Sequence, residues 1–174
     1  MKLILLGYMG SGKSTIGKLV SKKLSLPFID LDIYIELQEN LTISEIFKIK
    51  GEIYFRKIER VYLNELLQKK DSFILSLGGG TPCYSDNMSL ISSFEEKKKS
   101  IYLDVNLQNL VKRLRLAKDT RPLIASMNDE SLTEYIAKHL FERKHFYLEA
   151  DIILKVQDKS IQEITNEIIT YYSK

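Results

Sequence analysis

The sequence predicts a three-layer α/β fold, a parallel sheet covered by helices on both faces, and three observations carry that reading. Short apolar runs alternate with amphipathic stretches of helical period along the whole chain of 174 residues. The first run, Leu3-Ile4-Leu5-Leu6, passes directly into Gly7-Tyr8-Met9-Gly10-Ser11-Gly12-Lys13-Ser14, which matches the phosphate-binding pattern G-x-x-x-x-G-K-[ST]. A later run, Phe73 to Leu77, passes into Gly78-Gly79-Gly80. Strands that each end in a ligand-ready loop are expected of a parallel sheet with crossover helices, where ligands bind at the carboxyl ends of the strands.

The elements follow in order. A first helix from Thr15 to Leu24 sets Ile16, Leu19, Val20 and Leu24 at helical spacing. Pro27 to Asp32 reads as a second strand ending in two carboxylates, and residues 33–39 read as a helix. Thr42-Ile43-Ser44-Glu45 is a capping box that opens a helix through Lys50, and Gly51 breaks it. From Glu52 to Lys69 a longer amphipathic helix offers Ile53, Ile58, Val61, Leu63, Leu66 and Leu67 as its buried set. After the third strand, Phe73 to Leu77, come a helix near Asp86 to Phe94, a strand from Ser100 to Asp104 and a helix from Asn106 to Leu116. Ala117 to Asp129 has no period and carries Arg121, so residues 117–129 read as a lid. A helix from Ser131 to Phe146 precedes the last strand, Asp151 to Val156, and Ser160-Ile161-Gln162-Glu163 is a second capping box opening the final helix. Residues 1–174 therefore read as a single domain.

Composition excludes several classes of function. A net charge of +3 suits small anionic ligands and falls short of a nucleic-acid footprint. The run Lys97-Lys98-Lys99 is expected to be solvated surface. Cys83 is the single cysteine, so no intrachain disulfide forms and a reducing compartment, the cytoplasm, is expected. His139 and His145 do not share a helix face and fit no zinc pattern. The N-terminal apolar run is too short for a membrane span, and no membrane or nucleic-acid partner is expected.

The chemistry lies at the strand ends. Glycines let successive backbone N–H groups of the loop point at phosphate oxygens, Lys13 would reach the β- and γ-phosphates, and Ser14 would ligate Mg²⁺. Asp30 and Asp32 point the same way if both are extended; one carboxylate could serve Mg²⁺ and the other could take a proton from a hydroxyl acceptor, or either could cap the following helix. Three consecutive glycines exceed what a turn needs, so close approach of a ligand to bare backbone is expected there. Arg56 and Glu59 share a helix face, either as a surface ion pair or as a guanidinium held in a fixed orientation.

Over nearly the whole chain these residues resemble the shikimate kinases, small P-loop enzymes related to nucleoside monophosphate kinases. Asp30-Leu31-Asp32 is similar to the family's D-x-D, Phe55-Arg56-Lys57-Ile58-Glu59 to its F-R-x-x-E, Gly78-Gly79-Gly80 to its glycine triplet and Arg121-Pro122-Leu123 to its lid motif. The resemblance implies a five-stranded parallel sheet in the order 2-3-1-4-5 and phosphoryl transfer from ATP to the 3-hydroxyl of shikimate, with Mg²⁺. It also implies roles for matching residues. Gly10, Ser11, Gly12, Lys13, Ser14, Thr15, Arg121 and Lys159 would bind ATP; Asp32, Arg56, Gly78, Gly79, Gly80 and Arg143 would bind shikimate. Asp32, Lys13 and Arg121 would be catalytic, Ser14 and Asp30 would hold the metal, and helices within about residues 32–60 would bind the acceptor. A monomer is expected.

Two stretches depart from the family pattern. Arg143 and Tyr147 fit R-x-x-x-Y-x-x-x-A, but Ala150 arrives one residue early, which also loosens the register of Lys159. Arg113 and Arg115 straddle the position of a base-stacking arginine, and spacing does not choose between them. A kinase of the same architecture acting on gluconate or a nucleotide, and a nucleotide-dependent switch that transfers nothing, are the competing readings.

Overall fold

The strand β1, Lys2–Leu6, is buried at every position in the computed structural model, which describes residues 1–94, 97–118 and 124–173. Consecutive burial means that both faces of the strand are covered, as the continuous apolar run requires. Around it, β2 (Phe28–Asp30), β3 (Ile74–Ser76), β4 (Lys98–Asp104) and β5 (Ile152–Lys155) form a five-stranded sheet in the order β2-β3-β1-β4-β5. All pairs are parallel, with Leu3 opposite Ile74 and Leu5 opposite both Ser76 and Ile101. The helices α1 (Lys13–Leu24), α2 (Leu31–Glu39), α3 (Ile43–Gln68), α4 (Asn87–Ser92), α5 (Leu107–Leu116), α6 (Asp129–Tyr147) and α7 (Ile161–Ser173) complete the chain. Among them α1 packs on α7, α2 on α3 and α5 on α6. This is the expected α/β architecture and strand order.

Local chemistry sets the boundaries. At Thr42 both halves of the capping box form, with Glu45 N donating to Thr42 Oγ1 at 3.2 Å and Thr42 N to Glu45 Oε2 at 2.8 Å. Ser160 and Glu163 do the same for α7. Gly51 breaks α3 as expected, with φ 81° and ψ 171° between two helical halves.

Four expectations fail for identifiable reasons. The second strand stops at Asp30, not Asp32: α2 begins at Leu31 because Asp30 caps it, its Oδ1 accepting from Asp32 N at 3.2 Å. Asp30 and Asp32 are thus the cap and the second residue of a helix rather than two residues on one strand face. Ile53 and Val61 are exposed instead of buried, because two residues along a helix is a rotation of about 200° and the buried stripe runs through Phe55, Glu59 and Leu63. Leu19 is exposed as well, lying one residue outside the Ile16 and Val20 stripe of α1. Lys98 and Lys99 are not free surface but belong to β4, where Lys98 meets Asp151 and Lys99 donates to Tyr171 O.

The Gly51 conformation is open almost exclusively to glycine, while a β-carbon placed there meets nothing within 4 Å. Gly51→Ala is therefore expected to destabilise the protein by about 1–3 kcal/mol through backbone strain alone, even though alanine favours helices. Urea unfolding measures this. An unchanged or raised midpoint would mean that α3 can straighten at no cost.

Candidate active site

A cavity of about 510 Å³ opens at the carboxyl ends of β1, β2 and β3. Its wall is the loop from Met9 to Ile16, with Asp30, Asp32, Gly78, Gly79, Arg113 and Lys159 around it. The cavity thus brings together Gly10, Ser11, Gly12, Lys13, Ser14, Thr15, Asp30, Asp32, Gly78, Gly79 and Lys159 of the candidate residues.

The loop exists because Gly10 and Gly12 adopt φ of 79° and 100°, a left-handed backbone that side chains disfavour. That path starts α1 at Lys13 with its amide-rich end facing the cavity. Lys13 Nζ donates to Gly7 O at 2.7 Å and Tyr8 O at 3.1 Å, so the ammonium is already held against the loop. Ser14 Oγ donates to Asp30 Oδ2 at 2.8 Å. Asp30 thereby does two jobs, capping α2 with one oxygen and holding Ser14 with the other.

Asp32 is different. Loss of water around its carboxyl pushes its pKa up to about 6, helped by the negative charges of Asp30, Glu59 and Glu36 and opposed by Lys13. Above that pH it is ionised yet more basic than an ordinary carboxylate.

The glycine triplet explains itself through its neighbours. A β-carbon on Gly78 would lie 2.8 Å from Asp32 Oδ1, one on Gly79 3.2 Å from Met9 N, and one on Gly80 3.1 Å from Arg56 Nη2. Neighbouring parts of the protein already approach this bare backbone closely. The triplet is the seam between phosphate loop, carboxylate and arginine.

Beyond that seam, Arg56 is an oriented group rather than a surface ion pair. Its Nη1 donates to Glu59 Oε2 at 2.9 Å, Glu59 is 1 % exposed, and the guanidinium lies 3.9 Å from the centre of the Tyr84 ring. Arg143 sits 5.8 Å over the Tyr8 ring. Burial pushes the Cys83 thiol up to about 11 while the charges of Arg143 and Arg56 both act to lower it, so the two guanidinium groups flank the same turn. Neither arginine, nor Gly80, lines the main cavity; Arg56 lies against Gly80, and Arg143 over Tyr8. Arg121 lies outside the described residues, as do residues 119–123 of the expected lid.

Of the two candidate base-side arginines, Arg113 faces the cavity and donates to Gly10 O at 3.2 Å and Ser11 O at 3.3 Å. Arg115 turns away to Asp129 at 3.0 Å. Three neighbours escaped the sequence reading: Tyr8, whose buried hydroxyl has no partner among the described residues; Tyr147, which donates to Gly79 O; and Thr81, which donates to Glu59. Tyr147 alone carried a signal, its place four residues after Arg143.

A phosphate cradle on one side of the triplet and a pair of arginines on the other suit moving a phosphoryl group onto a small anionic acceptor, which defines a P-loop small-molecule kinase. A family model described as shikimate kinase matches residues 9–173. A shikimate kinase of Flavobacterium johnsoniae is 47% identical over 168 residues, covering 97% of this chain and 96% of the relative. The crystal structure of a shikimate kinase from Bacteroides thetaiotaomicron superposes with a TM-score of 0.90 at 35% identity, covering 100% of this chain and 99% of that one. One from Acinetobacter baumannii, in complex with shikimate, gives a TM-score of 0.82 at 28% identity over 98% and 92% of the two chains. The chain belongs to the shikimate kinase family.

The raised pKa of Asp32 has a consequence for stability. Below about pH 4 the carboxyl is neutral in folded and unfolded chains alike, and between pH 4 and 6 it ionises more readily when unfolded. The penalty is fully present above about pH 6. Asp32→Asn is therefore expected to stabilise the protein by about 1–2 kcal/mol at pH 7.5 and by little at pH 4. Denaturant midpoints at the two pH values check this, and a gain of equal size at both would exclude a raised pKa.

Proposed function

We propose that this chain transfers the γ-phosphoryl group of ATP to the 3-hydroxyl of shikimate, giving ADP and shikimate 3-phosphate for chorismate and aromatic amino-acid biosynthesis. The observation that carries the reading is the two-sided arrangement about the glycine triplet, with the phosphate loop on one side and Arg56, fixed by buried Glu59, on the other. Gly10, Ser11, Gly12, Thr15 and the start of α1 cradle the phosphates through their backbone, and Lys13 exchanges its loop carbonyls for the β- and γ-oxygens. Asp32 takes the proton of the attacking hydroxyl as the new O–P bond forms and the bond to the ADP oxygen breaks. A pKa near 6 leaves it ionised at neutral pH and still a competent acceptor.

Arg56 and Arg143 bind the acceptor's carboxylate, for which a planar fork of N–H donors is the matching shape. The backbone of Gly78, Gly79 and Gly80 lies between them and the phosphates, close enough for the ring hydroxyls. Arg113 and Lys159 border the nucleotide side of the cavity. The lid role expected of residues 117–129, with Arg121 for the phosphates, belongs to this reading, and Ala117 at their start lines the cavity.

Ser14 and Asp30 fit Mg²⁺: they are hard oxygen donors, already joined at 2.8 Å, at the phosphate end of the cavity. Among the described residues no three His, Cys, Asp or Glu side chains converge on a metal position, which suits an ion that completes its shell with phosphate and water. When bound, Mg²⁺ neutralises charge on the transferred phosphate. No described helix is long and apolar enough to cross a membrane; a cytoplasmic monomer remains part of the proposal.

Coupled ADP release tests the reading, with shikimate, gluconate and nucleoside monophosphates supplied in parallel. Turnover is expected with shikimate; turnover driven by another acceptor, or by none, would overturn it. Lys13→Ala is expected to lose about a thousandfold or more in turnover, since its charge acts on the transferred group. Arg56→Ala should raise KM for shikimate by about thirtyfold or more and leave KM for ATP within about threefold, with Arg56→Lys recovering only part of the loss.

A further inference from the structure

The carboxylate that orients Arg56 is itself held from below. Glu59 is 1 % exposed, and its two oxygens have separate partners: Oε2 accepts from Arg56 Nη1 at 2.9 Å, and Oε1 accepts from Thr81 Oγ1 at 2.6 Å. Thr81 is fully buried and opens the 3₁₀ turn Thr81–Cys83 that closes the glycine triplet. Its N–H donates to Gly78 O at 3.1 Å, and its carbonyl accepts from Asn87 Nδ2 at 2.8 Å. Asn87 is also fully buried, so the turn is pinned on both sides. At 1 % exposure Glu59 has little bulk solvent at hand to replace the hydroxyl, and a carboxylate deprived of one of its two donors in such a place would swing to find another. Arg56 would swing with it.

We propose that Thr81 is a positioning residue for the acceptor: its hydroxyl fixes Glu59, and Glu59 aims the Arg56 guanidinium across Gly80 at the acceptor's carboxylate. The proposal rests on the function proposed above. It assigns the turn after the triplet a part in acceptor recognition, and it explains why a hydroxyl rather than an apolar side chain occupies the fully buried first position of that turn. Thr81 touches neither substrate. Its effect should therefore appear in acceptor affinity and leave the phosphate side alone.

The test compares Thr81→Val, which keeps the shape and removes the donor, with Thr81→Ser, which keeps the donor. Thr81→Val is expected to raise KM for shikimate about tenfold, the weight of one hydrogen bond to a buried charge, with kcat and KM for ATP within about twofold. Thr81→Ser should stay within about twofold of wild type in all three. In a Glu59→Gln background Thr81→Val should add little, because the group it acts through is already changed. An unchanged KM for shikimate, a parallel rise in KM for ATP, a Ser variant as impaired as Val, or full additivity with Glu59→Gln would each overturn the assignment. Wild-type turnover with shikimate judges the parent function separately, and the ratio of variant to wild type judges Thr81.

Discussion

No β-carbon can be accommodated at Gly78, Gly79 or Gly80 without a neighbour moving, and the arrangement of the whole site depends on that constraint. The three neighbours come from three different places in the chain: Asp32 from the first turn of α2, Met9 from the phosphate loop and Arg56 from α3. Each could be moved outward by a single methyl group. Because β3 pairs directly with β1, the triplet and the phosphate loop leave adjacent strands side by side, and their backbones touch where other folds would interpose side chains. Tyr147 adds a fourth element, its hydroxyl reaching Gly79 O at 2.5 Å from the end of α6.

Around this seam, two carboxylates two residues apart acquire different characters from their surroundings alone. Asp30 spends both oxygens on local hydrogen bonds, one to a backbone N–H and one to Ser14. Asp32 has neighbours of its own charge in Asp30, Glu59 and Glu36, and little water. Contrasting environments of this kind let two nearby carboxyl groups differ in basicity at the same pH, which is what the proposed division of roles between them requires. Glu59 contributes to both sides, orienting Arg56 through a direct bond and raising Asp32 through space.

Much of this was legible because it is written in neighbouring residues. The loop from Gly7 to Ser14, the capping boxes at Thr42 and Ser160 and the break at Gly51 are each local geometry dictated by local chemistry, and each is present. What the sequence concealed depends on how elements dock. Helical spacing alone cannot tell which side of α3 is covered, so Ile53 and Val61 looked as suitable for burial as Phe55. Arg113 and Arg115 lie about 200° apart around α5, and only its seat beside the phosphate loop separates them. The Thr81 to Glu59 bond joins positions 22 residues apart with no periodic relation. The misplaced end of the second strand has the opposite cause: a local signal, the cap at Asp30, outweighed the extended run before it.

The central position of β1 also governs the order in which the molecule can assemble. β1 is the first strand made, yet its partners are β3, aligned at Ile74, and β4, aligned from Lys98. Its apolar side chains must wait through the synthesis of α1, α2 and α3 before either edge is paired. During that interval the phosphate loop has no paired strand to hang from. Such distant pairings slow folding, since a long loop must close before any contact rewards it. β4 in turn gains its second neighbour only when β5, Ile152–Lys155, has been made, so the sheet that carries the loop is complete only with its last strand.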